Sequence, residues 1–328
     1  MYFRVDMNNI IATGHVMRCL AMAEGFKDAG EECTFILADD FAKEFIESRG
    51  HSVIVLGTRW DDMDSEISSI LDIVSKYNIT KMIVDSYYVT YKYLEALNKC
   101  TSVAYIDDNN AFIYPVDMVI ACGIWFDYSM YKEQYKNMNT RLLLGTKYVP
   151  LRKEFSLVKE CNKDIDVMIT TGGTDTYNVA GRLIDSIKIN HPEWKVMVIS
   201  SRLPKELETD NIKIKGNVTN MSEIMSASRV AISASGSTLY ELCSCKIPTI
   251  CFAFADNQLE FAAEMGRQGV MEYVGDARVK DDIIEQIVMA TNNLLADFTR
   301  QMEVKQKMSG MIDGKGVERI VEEWLCKN

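Results

Sequence analysis

The sequence predicts an α/β protein made of two doubly wound halves, and three observations carry that prediction. Short, apolar, β-branched runs alternate with longer segments whose apolar residues recur three and four apart, the pattern of βαβ units around a parallel sheet. The alternation stops between Tyr128 and Lys163 and then starts again. At 328 residues the chain exceeds the usual size of a single hydrophobic core. Two Rossmann-like domains, residues 1–150 and 151–328, are therefore expected, with ligands taken in the cleft between them, beyond the carboxyl ends of the strands.

"YFRV" opens the first half as a strand, and "CTFIL", "SVIVL", "KMIVD", "SVAYID" and "DMVIA" follow it. These runs are continuously apolar, as strands covered on both faces must be. In "GHVMRCLAMA" the residues Val16, Leu20 and Ala23 repeat at i, i+4 and i+7, so a helix starts near Gly14. "FAKEFIESRG" and "EISSILDIVSKYN" are further helices. The Tyr-, Lys- and Asn-rich stretch from Tyr128 contains "GTKYVPLRKEF", where Pro150 suits neither a central strand nor a helix interior. The second half then reads "DIDVMIT", "KVMVIS", "NIKIKG", "RVAISA" and "IPTICFA" as strands. "VAGRLIDSIKINH", "MSEIMSAS" and "TLYELCSC" are the helices among them, and the pattern from Asp281 on is mostly helical.

Composition narrows the function. Hydrophobic residues make up 48% and charged residues 25%, values of an ordinary folded domain. The formal net charge of -11 argues against a nucleic-acid partner, which calls for a basic surface. It leaves open a phosphate held locally by backbone amides. The nine cysteines are not spaced as a disulfide framework, and Cys243 and Cys245 lack zinc-knuckle spacing, so they read as small apolar residues of a reducing cytoplasm. "MYFRVD" runs straight into a strand with no signal-peptide pattern, and no apolar run reaches membrane-span length. No cofactor or metal is expected.

In the first half, Asp6 ends the first strand, and Gly14 and His15 open the following helix. A helix N-terminus disfavours an imidazolium, which suits a histidine acting as general base. Asp6 is placed to hold the second ring nitrogen and fix the tautomer. The alternative is a histidine that only closes the helix start. Asp85, Ser86 and Tyr87 lie past the fourth strand, where Tyr87 offers a hydroxyl to a substrate and Asp85 and Ser86 read as turn residues. Asp107 and Asp108 likewise read as a strand-end turn.

In the second half, "MITTGGTDTYNVAGRLI" sets Gly172 and Gly173 between a strand and a helix, where backbone amides can approach an anion. It matches neither the dinucleotide fingerprint nor the Walker loop. In "AISASGSTLYELCSCKIP", Ser235 ends a strand, Gly236 makes the turn, and Ser237 and Thr238 can cap the next helix or meet a pyrophosphate. Glu241 suits either two ribose hydroxyls or a capping box from Thr238. Asn257 and Gln258 stand at the last strand–helix junction, where an amide pair suits sugar or phosphate recognition and Asp256 can cap the helix.

Four motifs in this order, "GHVMRCLAMA", "GGTD", "GNVTNMSEIMSASRVAISASGSTLYEL" and "ADNQLEFAAEMG", resemble the UDP-sugar hydrolases of pseudaminic acid biosynthesis. The resemblance runs from residue 1 to about residue 275. It implies a glycosyltransferase-B-type (GT-B) fold, related to that of the N-acetylglucosaminyltransferase that makes lipid II. The activity implied is UDP-2,4-diacetamido-2,4,6-trideoxy-β-L-altropyranose hydrolysis at the anomeric carbon, metal-independent and with inversion. On the same resemblance His15 is the base that activates water, Asn257 joins it in the active site, and Tyr87 lines the sugar site. Asp6, Gly14, Arg18 and Gln258 complete the expected substrate contacts. UDP falls to Gly172, Gly173, Val218, Ser235, Gly236, Ser237, Thr238 and Glu241. One departure is that Gly236 is followed by Ser237 where related helices often carry a second glycine. A glycosyltransferase using a UDP-amino sugar, or a non-catalytic UDP-sugar-binding protein, are the alternatives.

Overall fold

In a computed structural model of the chain, which describes residues 1–158, 161–172, 175–216 and 218–326, the apolar runs form two fully parallel sheets. Two compact units result: Met1–Lys153 together with Lys315–Asn328, and Glu154–Gly314.

The first unit holds β1 (Tyr2–Val5), β2 (Thr34–Leu37), β3 (Ser52–Val55), β4 (Lys81–Asp85), β5 (Ser102–Ile106), β6 (Met118–Ala121) and β7 (Arg141–Leu144). Their order is β3-β2-β1-β4-β5-β6-β7. Chain direction across the sheet reverses between β1 and β4, so the topological switch point lies there, where open α/β sheets take their ligands. The register sets Val5 beside Asp85, which brings the ends of these two strands together. Helices α1 (Gly14–Asp28), α2 (Lys43–Glu47), α3 (Ile67–Lys76), α4 (Tyr91–Asn98) and α5 (Tyr128–Gln134) connect the strands.

Burial in this unit extends to charge. Arg4 on β1 is fully buried and donates to both oxygens of the equally buried Glu66, at 2.7 and 2.8 Å, and to Asp6 at 2.5 Å. Glu66 also accepts from Tyr93 and Thr58, and Asp6 from the Ala38 amide. With every carboxylate and the guanidinium engaged, the desolvation cost of burying them is offset.

The second unit repeats the plan with β8 (Ile165–Thr170), β9 (Val196–Ile199), β10 (Ile212–Lys215), β11 (Ser228–Ala234), β12 (Thr249–Ala253) and β13 (Glu272–Asp276), in the order β10-β9-β8-β11-β12-β13. Its switch point lies between β8 and β11. On the edge strand β10, Ile212 and Ile214 point inward while Lys213 and Lys215 face water. Helices α6 (Val179–Asn190), α7 (Met221–Ser226), α8 (Thr238–Ser244), α9 (Asp256–Arg267), α10 (Ile283–Ala296) and α11 (Phe298–Ser309) belong here, and α12 (Gly316–Leu325) ends the fold. Cys243, Cys245 and Cys251 are buried, and burial pushes each thiol up to about 12, so they pack as neutral apolar groups. Among the described residues no helix is long and apolar enough to cross a membrane.

The sequence-based division changes in two places. The boundary falls after Lys153, and residues 315–328 join the first unit instead of the second. The physical reason is α12: Val317, Ile320, Val321 and Trp324 bury one helical stripe, and Gly25 of α1 makes room for Val317. A β-carbon at Gly25 would lie 2.3 Å from Val317 Cγ1. Two strands were also not anticipated. "RLLL" of β7 sits in the polar stretch read as a boundary, and "EYVGD" of β13 is only half-buried and contains a glycine at φ +127°.

Candidate active site

The strongest constellation lies at the switch point of the first unit. The loop from β1 is shaped by Asn8, whose side-chain oxygen accepts from the amides of Ile10 and Ile11 at 2.8 and 3.0 Å. Ala12 then takes φ +56°, a left-handed conformation that costs a non-glycine residue roughly 1 kcal/mol or more. The chain so delivered starts α1 at Gly14 and turns His15, its second residue, into a buried position.

There His15 Nδ1 lies 2.5 Å from Oδ1 of Asp85, the last residue of β4. A nitrogen lone pair facing a carboxylate at that distance would be repelled, so Nδ1 carries the proton and donates. The guanidinium Nη2 of Arg18 is also 3.2 Å from Nδ1, but its hydrogens have carboxylate acceptors at 2.6 and 2.7 Å and are directed to those. Nε2 is left as the basic nitrogen. It has no partner among the described residues and is not sealed from solvent.

Asp85 is held from several sides. Arg18 donates to it from Nε and Nη2, both at 2.6 Å, and Cys19 Sγ donates at 3.5 Å. His15, Arg18 and Cys19 stand at i, i+3 and i+4 on α1, so a single helix face converges on one carboxylate. Burial alone would raise the proton affinity of Asp85, but the charge of Arg18 and the hydrogen bonds from Arg18 and His15 outweigh it and hold the carboxyl well below the usual range. Arg18 grips Asp108 as well, from Nη1 at 3.0 Å and Nη2 at 2.7 Å. Tyr87 packs edge-on against the His15 ring, centroids 4.4 Å apart, with Asp108 as the carboxylate nearby. Burial and that carboxylate push the phenol up, so it remains a neutral donor.

Several sequence-based expectations are revised here. Asp6 does not hold the imidazole, because Arg4 and the Ala38 amide occupy its carboxylate, and Asp85 takes that role. Arg18, expected among the substrate contacts, directs four of its five N–H donors to two carboxylates. Gly14 is not in a left-handed turn. It leaves open space beside the helix start, where a β-carbon would meet nothing within 4 Å. Asp107 does support a turn, accepting from the amides of Asn109 and Asn110 and from the hydroxyls of Tyr114 and Tyr131. Asp85 and Asp108, however, are site residues. A signal for them was present, since each ends or follows a strand on the switch-point side of the sheet.

The second unit arranges its candidates around its own switch point. Gly172, at φ +72°, follows β8 with open space above it, while Gly173 lies outside the described residues. The start of α6 is less available than expected, because Asp175 accepts from the amides of Val179 and Ala180 at 2.8 and 3.0 Å. Ser235, after β11, is buried and its hydroxyl donates to the Phe252 carbonyl at 2.8 Å, so it ties strands together and is not aimed at a ligand. Gly236 has ordinary backbone angles, and its lack of a side chain leaves open space at the start of α8. Ser237 is the N-cap and makes no side-chain cap bond, and the helix starts one residue too early for a Thr238–Glu241 capping box. The amides of Ser237 and Thr238 are unpaired among the described residues. Glu241 lies in the first turn of α8, and Val218 is half-buried in the loop after β10.

At the last junction, Asn257 is exposed in the first turn of α9. Gln258 turns back to accept from the Phe254 amide at 2.9 Å, a structural use. Asp256 does not cap α9, whose N-cap is Ala255, but pairs with Arg278 at 2.7 Å. Among the described residues no group of three or more His, Cys, Asp or Glu side chains is arranged to hold a metal ion.

Residues 193–315 match the glycosyltransferase family 28 C-terminal domain. The chain is 22% identical over 329 residues to the spore coat polysaccharide biosynthesis protein SpsG of Bacillus subtilis, covering 94% of this chain and 92% of that one. It is 23% identical over 259 residues to an uncharacterized protein of Methanocaldococcus jannaschii, covering 72% of this chain and only 52%, about half, of that relative. Among solved structures it is similar to MurG of Acinetobacter baumannii, with a TM-score of 0.70 at 13% identity over 98% of each chain. It is also similar to the spinosyn rhamnosyltransferase SpnG complexed with thymidine diphosphate, with a TM-score of 0.66 at 12% identity over 98% and 99%. The fold is GT-B: two parallel-sheet α/β domains, the second with a family 28 match.

Proposed function

We propose that this protein hydrolyses a UDP-2,4-diacetamido-2,4,6-trideoxyhexose at its anomeric carbon, with inversion, giving UDP and the free sugar as in pseudaminic acid biosynthesis. The observation that carries this reading is the His15–Asp85 pair at the switch point of a GT-B fold, with Nε2 open and Nδ1–H fixed. Water gives a proton to Nε2 as its oxygen bonds to C1. The bond from C1 to the β-phosphate oxygen breaks, and UDP leaves with the electron pair. Asp85 stabilises the imidazolium that forms, the part an orienting carboxylate plays in catalytic triads. Tyr87 is the first unit's sugar contact, and Asn257 is the second unit's own candidate for sugar recognition. The second unit holds UDP through the unpaired amides of Ser237 and Thr238, beside the open space at Gly172 and Gly236, and these amides stabilise the departing pyrophosphate without a leaving-group acid. Glu241 takes the ribose hydroxyls and the loop at Val218 borders the base. The relative named for spore coat polysaccharide biosynthesis and the thymidine diphosphate complex support a nucleoside-diphosphate-sugar substrate.

The match to glycosyltransferase family 28 favours a second reading, transfer of the sugar to an acceptor hydroxyl by the same base. One assay separates the two: the protein is mixed with a panel of UDP-sugars, without acceptor, and UDP release is followed. Release from a 2,4-diacetamido sugar supports the hydrolase. Silence with every such sugar overturns it, and release that depends on an added acceptor establishes transfer.

A further inference from the structure

The cluster at the first switch point holds more charge than a base and its orienting carboxylate need. With His15 neutral, Asp85 and Asp108 contribute two negative charges and Arg18 one positive, so the group carries one net negative charge. Arg18 is bidentate to both carboxylates at once, through Nε and Nη2 to Asp85 and through Nη1 and Nη2 to Asp108. An arginine so committed has little left for a pyrophosphate. We propose that Arg18 and Asp108 are positioning residues that act through Asp85 to set the charge state of His15, and that Arg18 is not a substrate ligand.

Arg18 competes with the imidazolium for the charge of Asp85 and so weakens the pull of Asp85 on a proton at His15. Asp108 competes with Asp85 for Arg18 and restores part of that pull. The two residues therefore bias the ring in opposite directions. Other titratable groups face the cluster: Cys19 from α1, Tyr87 after β4, Tyr105 on β5 and Asp107 just after it, and Cys122 just after β6. Burial pushes both thiols and both phenols up, Cys122 to about 12, so these stay neutral. Asp107 is engaged by Tyr114, Tyr131 and two amides. Arg18 and Asp108 are thus the two charges through which His15 can be tuned by way of Asp85. The edge contact with Tyr87 adds a further constraint on the ring's orientation.

The test reads His15 directly in the free protein. The chain has three histidines, and His51 and His191 lie elsewhere and serve as internal references. Imidazole nitrogen NMR at a fixed, mildly acidic pH gives the ratio of doubly to singly protonated His15. Asp108→Asn removes a negative charge and is expected to lower that ratio roughly tenfold, the effect of one partly buried charge at close range. Arg18→Met is expected to raise it by a similar factor, and the double variant to return toward the parent. Arg18→Lys keeps the charge but loses the fork, so it holds the ratio near the parent and covers the case in which Arg18→Met fails to fold. Ratios unchanged in Asp108→Asn, or moved in the same direction by Asp108→Asn and Arg18→Met, would overturn the proposal. Calorimetric titration with UDP adds an independent arm: affinity unchanged in Arg18→Lys supports positioning, and a loss beyond tenfold makes Arg18 a ligand. The inference presumes that His15 is the base of the proposed reaction, but the NMR arms need no substrate, so parent protein that releases no UDP defeats that reaction and leaves the charge-state result standing.

Discussion

Replacing Asp85 by asparagine is the most informative perturbation of the site. The change keeps the shape and removes the charge that His15 Nδ1–H, two nitrogens of Arg18 and Cys19 Sγ all address. An asparagine presents one oxygen and one amide. If its oxygen serves His15, its amide faces Arg18, and if it turns over, the imidazole loses its acceptor. Breaking a buried ion pair costs about 3–5 kcal/mol, and the lower figure applies because Arg18 is partly exposed and keeps Asp108. Loss of an orienting carboxylate behind a catalytic histidine lowers turnover by about ten-thousand-fold where it has been isolated in serine proteases. We expect a loss of roughly a thousandfold or more in UDP release here, with UDP affinity within a factor of about two, because the groups proposed to hold the nucleotide belong to the other unit.

The same variant has a pH signature. The folded carboxyl of Asp85 titrates well below its unfolded value, so between the two the unfolded chain binds more protons. Its contribution to stability is complete above the unfolded value of about 4 and is lost as pH falls through the folded one. Urea denaturation should therefore separate parent from Asp85→Asn by about 3 kcal/mol at neutral pH, and by progressively less below about pH 4. A separation that persists unchanged to pH 2, or a variant that keeps a tenth of its turnover, would refute the assignment of Asp85 as the buried, charged partner of His15.

Three further outcomes are expected. His15→Phe should lower turnover by a factor of about a hundred to ten thousand, the usual worth of a positioned base, while calorimetry finds UDP affinity nearly intact; retained turnover would remove His15 from the chemistry. Gly236→Ala should fold normally, since its backbone angles are ordinary and a β-carbon there meets no protein atom within 4 Å, yet weaken UDP binding by about tenfold or more if that open space receives the pyrophosphate. Gly25→Ala should destabilise the protein by about 1–3 kcal/mol in chemical denaturation, because its β-carbon would fall 2.3 Å from Val317 Cγ1 and α12 must shift; unchanged stability would contradict the packing of α12 on α1.

How far the site could be read from sequence depended on whether its signals were local. His15 was legible because a histidine at a strand–helix junction is a local event, and Gly172 and Gly236 were legible for the same reason. The error over Asp6 was a choice between two carboxylates at strand ends. Asp6 is nine residues from His15 and Asp85 is seventy, so proximity along the chain favoured the wrong one. Asp6 in fact belongs to the buried Arg4–Glu66 network, whose reach from β1 to the segment before α3 no short window contains. Ser235 and Gln258 carried ligand-type chemistry at the right junctions, but their side chains answer backbone groups only seventeen and four residues away. Strand β7 was hidden in polar surroundings, and α12 was assigned to its neighbour in sequence because its destination is set by a complementary glycine on α1.

One rule would have corrected the choice of carboxylate, and it bears on the chemistry. In a 3-2-1-4-5 sheet the strands that flank the switch point are the first and the fourth, so a residue just after β1 meets the end of β4, not its own strand's last residue across a tight loop. His15 is offered from one side of that point and Asp85 from the other, each on a rigid element whose neighbours fix it. In the loop between β1 and α1, Asn8 collects two amides and Ala12 takes the left-handed conformation, while no residue of the first turn of α1 has a positive φ. A base held this way keeps its tautomer before substrate arrives, and preorganisation of that kind separates a reacting histidine from one that merely closes a helix. The second unit repeats the sheet order, and its unfilled space at Gly172 and Gly236 lies at the corresponding strand ends. The same topology used twice thus sets an open imidazole nitrogen at one switch point and the unpaired amides of Ser237 and Thr238 at the other, the groups on which the proposed hydrolysis rests.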